Sequence, residues 1–229
     1  MLDTGPADEP FAIAGDKMPY AKRSPVGMWS RIVCAPCEQS FHADDEFLIR
    51  LVRNLPKLPT LNDSDGSAVG TVLKDYDAQE IKRSVLSVFF RAALSEHEIF
   101  QQVKLGPYLE PLRRYIADGD VGAPQGMEIV LRHVLPPLGR LIVSPVRVRF
   151  GAVSAYRLYL PFLTAAIKVD NRDWEDGPFR AAQLTAGFTP IALRSERPSP
   201  SEMRIITGIH TKHGRQIDRM FARYRDRYK

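Results

Sequence analysis

Three stretches of the chain repeat apolar positions at helical spacing. Phe47, Leu48, Leu51, Val52 and Leu55 follow the i, i+1, i+4, i+5, i+8 pattern of a buried stripe. Asp44 and Asp45 stand before this stripe as N-cap candidates, and Pro56 and Pro59 end it. A second set, Ile81, Val85, Leu86, Val88, Phe89, Ala92 and Ala93, predicts a core helix over 78–95. Asp77 and Glu80 before it have capping-box spacing, in which side chains at N-cap and N3 satisfy backbone amides. A shorter helix is expected over 107–117, with Pro107 at its start and Gly119 past its end. Pro111 would delay its first regular turn.

The pattern changes after Gly119. Met127–Val134, Leu141–Phe150, Ala155–Leu160 and Leu163–Val169 are β-rich, and Val146, Val148 and Phe150 alternate with Arg147 and Arg149. Two shorter strands are expected at Phe179–Ala186 and Thr189–Leu193. The spacers are too short for crossover helices, so the runs predict an antiparallel meander. Near the start, Met28–Val33 reads as a strand leading into Cys34, and Phe11–Ala14 as one edge strand in an extended Pro/Gly-rich arm. Residues 60–74 read as a polar loop. From Ser199 onward a helical segment is expected to run to the end, hinged near Gly214. The fold class is therefore α+β: a helical N-terminal half with a CxxC knuckle, an antiparallel β-meander in the second half, and a C-terminal amphipathic helix. The expected divisions are an arm over 1–25, a helical part over 26–118, and a sheet with its terminal helix over 119–229, the last two packed as one unit.

Composition excludes some classes. Of the 229 residues, 44% are hydrophobic and 26% charged, a globular balance that argues against wholesale disorder. No apolar run approaches the roughly 18–20 residues needed to span a bilayer, so no membrane role is expected. The acidic N-terminus does not have the form of a secretory signal, and a cytoplasmic location is expected. The net charge of +5 is uneven: residues 1–76 carry 8 Lys+Arg against 11 Asp+Glu, and residues 151–229 carry 14 against 8. A basic end on a near-neutral body is either a nucleic-acid footprint or a solvated helix face.

The pointed chemical motif is Cys34-Ala35-Pro36-Cys37-Glu38. At a strand end, two thiolates so spaced can share one zinc ion while supplying half its ligands. Reduced thiols that merely pack, a knuckle that has lost its metal, and a redox dithiol are the alternatives; the last calls for a CxxC at a helix start after a buried strand in a thioredoxin-like βαβ context, which the pattern that follows does not provide. His42, or His210 with His213 at i, i+3, are candidates to complete a zinc shell. The acids Asp44, Asp45 and Glu46 are already accounted for by the dipole of a helix's first turn.

On a helical wheel, Ile217, Met220, Phe221, Tyr224 and Tyr228 share one arc. Arg215, Arg219, Arg223 and Arg227 drift along the opposite side, flanked by Arg225 and Lys229. Like charges at i, i+4 repel, and a phosphate backbone would relieve that repulsion. These six residues are the nucleic-acid-binding candidates, for DNA or RNA. A protein partner with an acidic surface would serve as well. Arg147, Arg149 and Arg157 would extend the patch if they share its face.

The run from Gly27 to Glu38, with Phe41, Asp44–Phe47, Phe89-Phe90-Arg91-Ala92 and Lys104-Leu105-Gly106-Pro107, resembles uncharacterised bacterial HNH-like proteins of the treble-clef, zinc-knuckle kind. The likeness covers roughly residues 10–118. It implies a structural zinc on Cys34 and Cys37, nucleic acid as partner, and a setting in phage–host conflict. The sequence departs from the class in having no cysteine before Cys34 and no histidine before His42. The first CxxC and the general-base histidine are thus absent, which counts against nuclease activity by this chain alone. The expectation is a non-catalytic nucleic-acid-binding protein. The alternatives are an interaction or inhibitor subunit, and a metal-dependent nuclease completed by another chain.

Overall fold

A computed structural model describes residues 11–14, 22–24, 33–117, 122–134, 141–175, 177, 180, 182–184, 191–195, 204, 207–208, 211–212 and 215. The chain forms β1 (Phe11–Ala14) and β2 (Lys22–Ser24), then α1 (Ala35–Ser40) and α2 (His42–Asn54). A hairpin, β3 (Thr60–Asn62) and β4 (Ala68–Leu73), leads to α3 (Ala78–Leu94) and α4 (Leu109–Ala117). Five strands follow: β5 (Ile129–His133), β6 (Leu141–Phe150), β7 (Val153–Leu160), β8 (Leu163–Lys168) and β9 (Ile191–Arg194). The α+β class holds, and among the described residues most helix lies in the first half and most strand in the second.

The helical periodicities place α3 and α4 within a residue or two, but α2 starts earlier than expected: Phe41 is its N-cap, and Asp44 and Asp45 lie inside the first turn rather than capping it. Asp77 caps α3 by accepting from the Gln79 amide at 2.7 Å, one position short of the Glu80 amide that a capping box uses. A 3₁₀ turn over Gly106–Tyr108 precedes α4, which leaves Pro111 in the first turn, where its missing donor costs no helical bond.

The sheets depart from a single meander. A six-stranded sheet has the order β2-β1-β6-β7-β8-β5, and β3-β4-β9 form a second. β6, β7 and β8 are a consecutive antiparallel meander, but β5 joins its far side against β8, and β1 runs parallel to β6. β1 is therefore flanked on both sides rather than an edge. Residues 60–74 form a hairpin instead of a loop. Asp63 Oδ1 accepts from the Ser67 amide at 2.8 Å and closes its turn, in which Gly66 takes φ +84°, and β4 then pairs with β9. Within Phe179–Ala186, Arg180 is helical and Gln183 makes one isolated bridge to Val130, so the described residues there form no strand. Of the expected strand before Cys34, only Val33 is described, and it lies in a bend.

One core joins the two halves. Leu51 and Val52 of α2, Ile81, Leu86 and Phe89 of α3, and Leu112 and Ile116 of α4 are buried with Ile129, Tyr156, Leu158, Ala165 and Ile167 of the large sheet. The Phe89 and Tyr156 rings lie 5.2 Å apart. The Tyr156 hydroxyl accepts from the Lys104 amide at 2.9 Å and donates to the Gln102 carbonyl at 3.1 Å, pinning the segment between α3 and α4 to the sheet. On the opposite face Val130, Val153, Ala155, Ala166 and Trp174 form a smaller cluster.

Candidate functional site

Cys34 is the N-cap of α1, with extended backbone, and Pro36 occupies the first turn, where its fixed φ suits a helix start. The Glu38 amide donates to the Cys34 carbonyl at 2.9 Å, closing that turn. The CxxC thus opens a helix rather than ending a strand, because proline two residues after Cys34 sets helical backbone there. One helical turn brings the two sulfurs to 3.1 Å, hydrogen-bonded to each other and fully exposed. Sharing that bond lowers the Cys34 thiol below its ordinary value. The same bond, with the neighbouring Cys34 charge, raises Cys37. Behind the pair, Phe41 is buried against Phe90 and lies under the Arg91 guanidinium at 5.0 Å, so α1 is anchored on α3.

His42 is exposed, with Nε2 3.1 Å from Glu46 Oε1 one turn along α2. His210 and His213 lie outside the described residues. Among the described residues no group of three or more His, Cys, Asp or Glu is placed to hold a metal ion. Two sulfurs on one tetrahedral zinc, each at about 2.3 Å, would stand roughly 3.8 Å apart. The thiols at 3.1 Å are closer than that, and they amount to half a shell. The acids that follow are engaged elsewhere. Asp44 is buried and receives Arg83 Nε at 3.0 Å, and Asp45 pairs with Arg91 through both oxygens.

Of the C-terminal candidates, Arg215 is described: it is helical and exposed. Arg219, Arg223, Arg225, Arg227 and Lys229 lie outside the described residues, as does Gly214. On β6, Arg147 and Arg149 are exposed and project from one face, opposite Tyr156 and Ser154 in register. Arg157 pairs with Val146, which puts it on the other face. There it is buried, with its guanidinium 5.4 Å from the Phe150 ring centroid, so it does not extend the Arg147–Arg149 surface.

Sequence reasoning missed a charged cluster at the end of β8. Lys168, only 4% exposed, places Nζ 2.6 Å from Glu128 Oε2, donates to the Arg172 carbonyl at 2.8 Å and lies 5.8 Å from the Trp174 ring centroid. Asp170 accepts from the Ser154 amide at 2.9 Å and from the Arg172 guanidinium at 2.6 and 2.9 Å. These bonds hold its carboxyl far below the usual carboxylate range. Tyr108 donates to Asn171 Oδ1 at 3.2 Å, and burial with the nearby Asp170 and Glu128 charges pushes its phenol up. Gly126, at φ +78°, passes so close that a Cβ would meet the Asp170 carbonyl at 2.8 Å. The alternation of charge in Lys168-Val169-Asp170-Asn171-Arg172, straight after an apolar strand, was the available signal. Each charge in the cluster has an opposite or hydrogen-bonding neighbour, so the arrangement works as a clamp on the β8 terminus.

No family model, curated protein or solved structure matches the chain. Function has to be read from the chemistry of these residues. Among the described residues no helix is long and apolar enough to cross a membrane.

Proposed function

We propose that this is a non-catalytic nucleic-acid-binding protein on an HNH-like scaffold, gripping the phosphate backbone with arginine. The observation that carries the reading is the exposed pair Arg147 and Arg149 on one face of β6. Two residues along a strand separate the pair by about 6.7 Å, so each guanidinium can take its own phosphate oxygen pair. The arginine spacing of Arg215, Arg219, Arg223 and Arg227 supports the same partner, and the excess of 14 Lys+Arg over 8 Asp+Glu in residues 151–229 supplies the field that steers it. The resemblance to HNH-like proteins extends the proposal to phage–host conflict, in a cytoplasmic setting.

The test is fluorescence anisotropy of labelled single-stranded DNA, duplex DNA and RNA with the full chain across a salt series. Affinity is expected to fall steeply with salt, and replacing both Arg147 and Arg149 with Ser should make the log–log salt slope shallower by about 2. Absence of binding to all three at low salt would discard the proposal. Divalent-metal-dependent cleavage in the same samples would replace it with the nuclease reading.

A second reading, an interaction or inhibitor subunit, is favoured by the exposed apolar side chains Leu61 and Val69 on the β3–β4 hairpin. A stable complex with a protein that survives nuclease treatment supports this one.

A further inference from the structure

We propose that Cys34 and Cys37 form a reversible thiol–disulfide site, oxidised by low-molecular-weight disulfides such as glutathione disulfide. The geometry is that of a pair short of bonding. The sulfurs at 3.1 Å need to close by only about 1 Å to reach the S–S bond length of about 2.05 Å. They face solvent on one helical turn, so a small disulfide can reach them and only local torsions need move. They are the chain's two cysteines, which leaves no third thiol of the same molecule to mispair with. Phe41, buried between α1 and α3, holds the turn in place while the sulfurs react.

The exchange balances in two steps. The Cys34 thiolate attacks one sulfur of glutathione disulfide, forming a mixed disulfide and releasing one glutathione thiolate. Cys37 then loses its proton and attacks Cys34 Sγ, forming the intramolecular bond and expelling the second glutathione thiolate. The protein dithiol gives up two electrons, and glutathione disulfide becomes two glutathione molecules. The reverse reaction restores the dithiol in a reducing compartment. The exchange uses none of the arginines, so it stands or falls independently of nucleic-acid binding.

The full chain is equilibrated at pH 7 in anaerobic glutathione buffers of graded ratio, quenched with N-ethylmaleimide, and weighed intact. The expected result is a graded passage from a species carrying two maleimides to one carrying none and lighter than the reduced chain by two hydrogens. Cys34→Ser and Cys37→Ser are each expected to stop at one glutathione adduct. Two free thiols at every ratio, or a doubly glutathionylated wild type, would overturn the proposal. So would one equivalent of zinc that co-purifies with the chain and blocks both alkylation and oxidation until chelated.

Discussion

Asp170 shows how much one side chain can be asked to do here. It is 9% exposed, yet it accepts from the Ser154 and Arg172 amides and from two nitrogens of the Arg172 guanidinium. Bonds to a charged acceptor contribute about 1.5–3 kcal/mol each, and they favour the ionised form. Asp170→Asn removes the charge and keeps the shape, so it should cost about 2 kcal/mol in urea unfolding at pH 7. The folded-state value is depressed. The contribution of Asp170 is therefore full above the unfolded carboxyl range near 4 and fades as pH falls toward the folded value. The gap between wild type and variant should be smaller at pH 3 than at pH 7, and an equal gap at both would assign the loss to packing instead. Beyond the charge alternation from Lys168 to Arg172, little of this was legible in the sequence. Asp170 and Arg172 are two residues apart, but Ser154 on β7 and Glu128 just before β5, which complete the cluster, are distant in sequence. The cysteine pair was legible as a motif, whereas its placement was not: it turned on Pro36 starting a helix where a strand end had been expected.

At the level of elements, Arg83 ties three helices together. It projects from α3, donates Nε to Asp44 of α2 at 3.0 Å, and lays its other two nitrogens on the Tyr115 and Ile116 carbonyls at the end of α4, at 3.1 and 2.9 Å. Arg83 thus gives side-chain donors to carbonyls in the last described turn of α4, where helical carbonyls commonly run short of partners. Arg83→Ala leaves Asp44 buried without its cation, at a cost of about 3–4 kcal/mol. Asp44→Ala should cost a similar amount and the double variant much less than the sum, measured by a urea double-mutant cycle. Additive losses would mean that Arg83 acts through α4 alone. The helices themselves were readable because their apolar spacing and the Asp77 cap are local. The β3–β4 hairpin was not, because its burial is confined to Gly70, Thr71 and Leu73 and the rest reads as polar loop. The position of β5 beside β8 depends on pairing across about 30 to 38 residues, which no local period encodes.

Across the whole molecule, the main core runs from Phe41 to Leu193 and draws on helices and both sheets, with no gap between the expected helical and sheet parts. The Tyr156 hydroxyl and the Phe89–Tyr156 contact cross the line between them. A shared core of this kind predicts that the helices cannot unfold while the sheet stands, because removing either exposes the apolar face of the other. The two layers offer separate probes. Helix content is followed by circular dichroism at 222 nm. Trp174, 2% exposed in the cluster on the far side of the sheet, is followed by fluorescence once Trp29, the chain's other tryptophan, is changed to Phe. The two urea curves are expected to coincide, with one midpoint and one slope, and Arg83→Ala should move both by the same amount although Arg83 lies on the helical side. A fluorescence transition that stays put while the helical signal shifts would show two units that fold separately, and would confine the contribution of Arg83 to the helical layer.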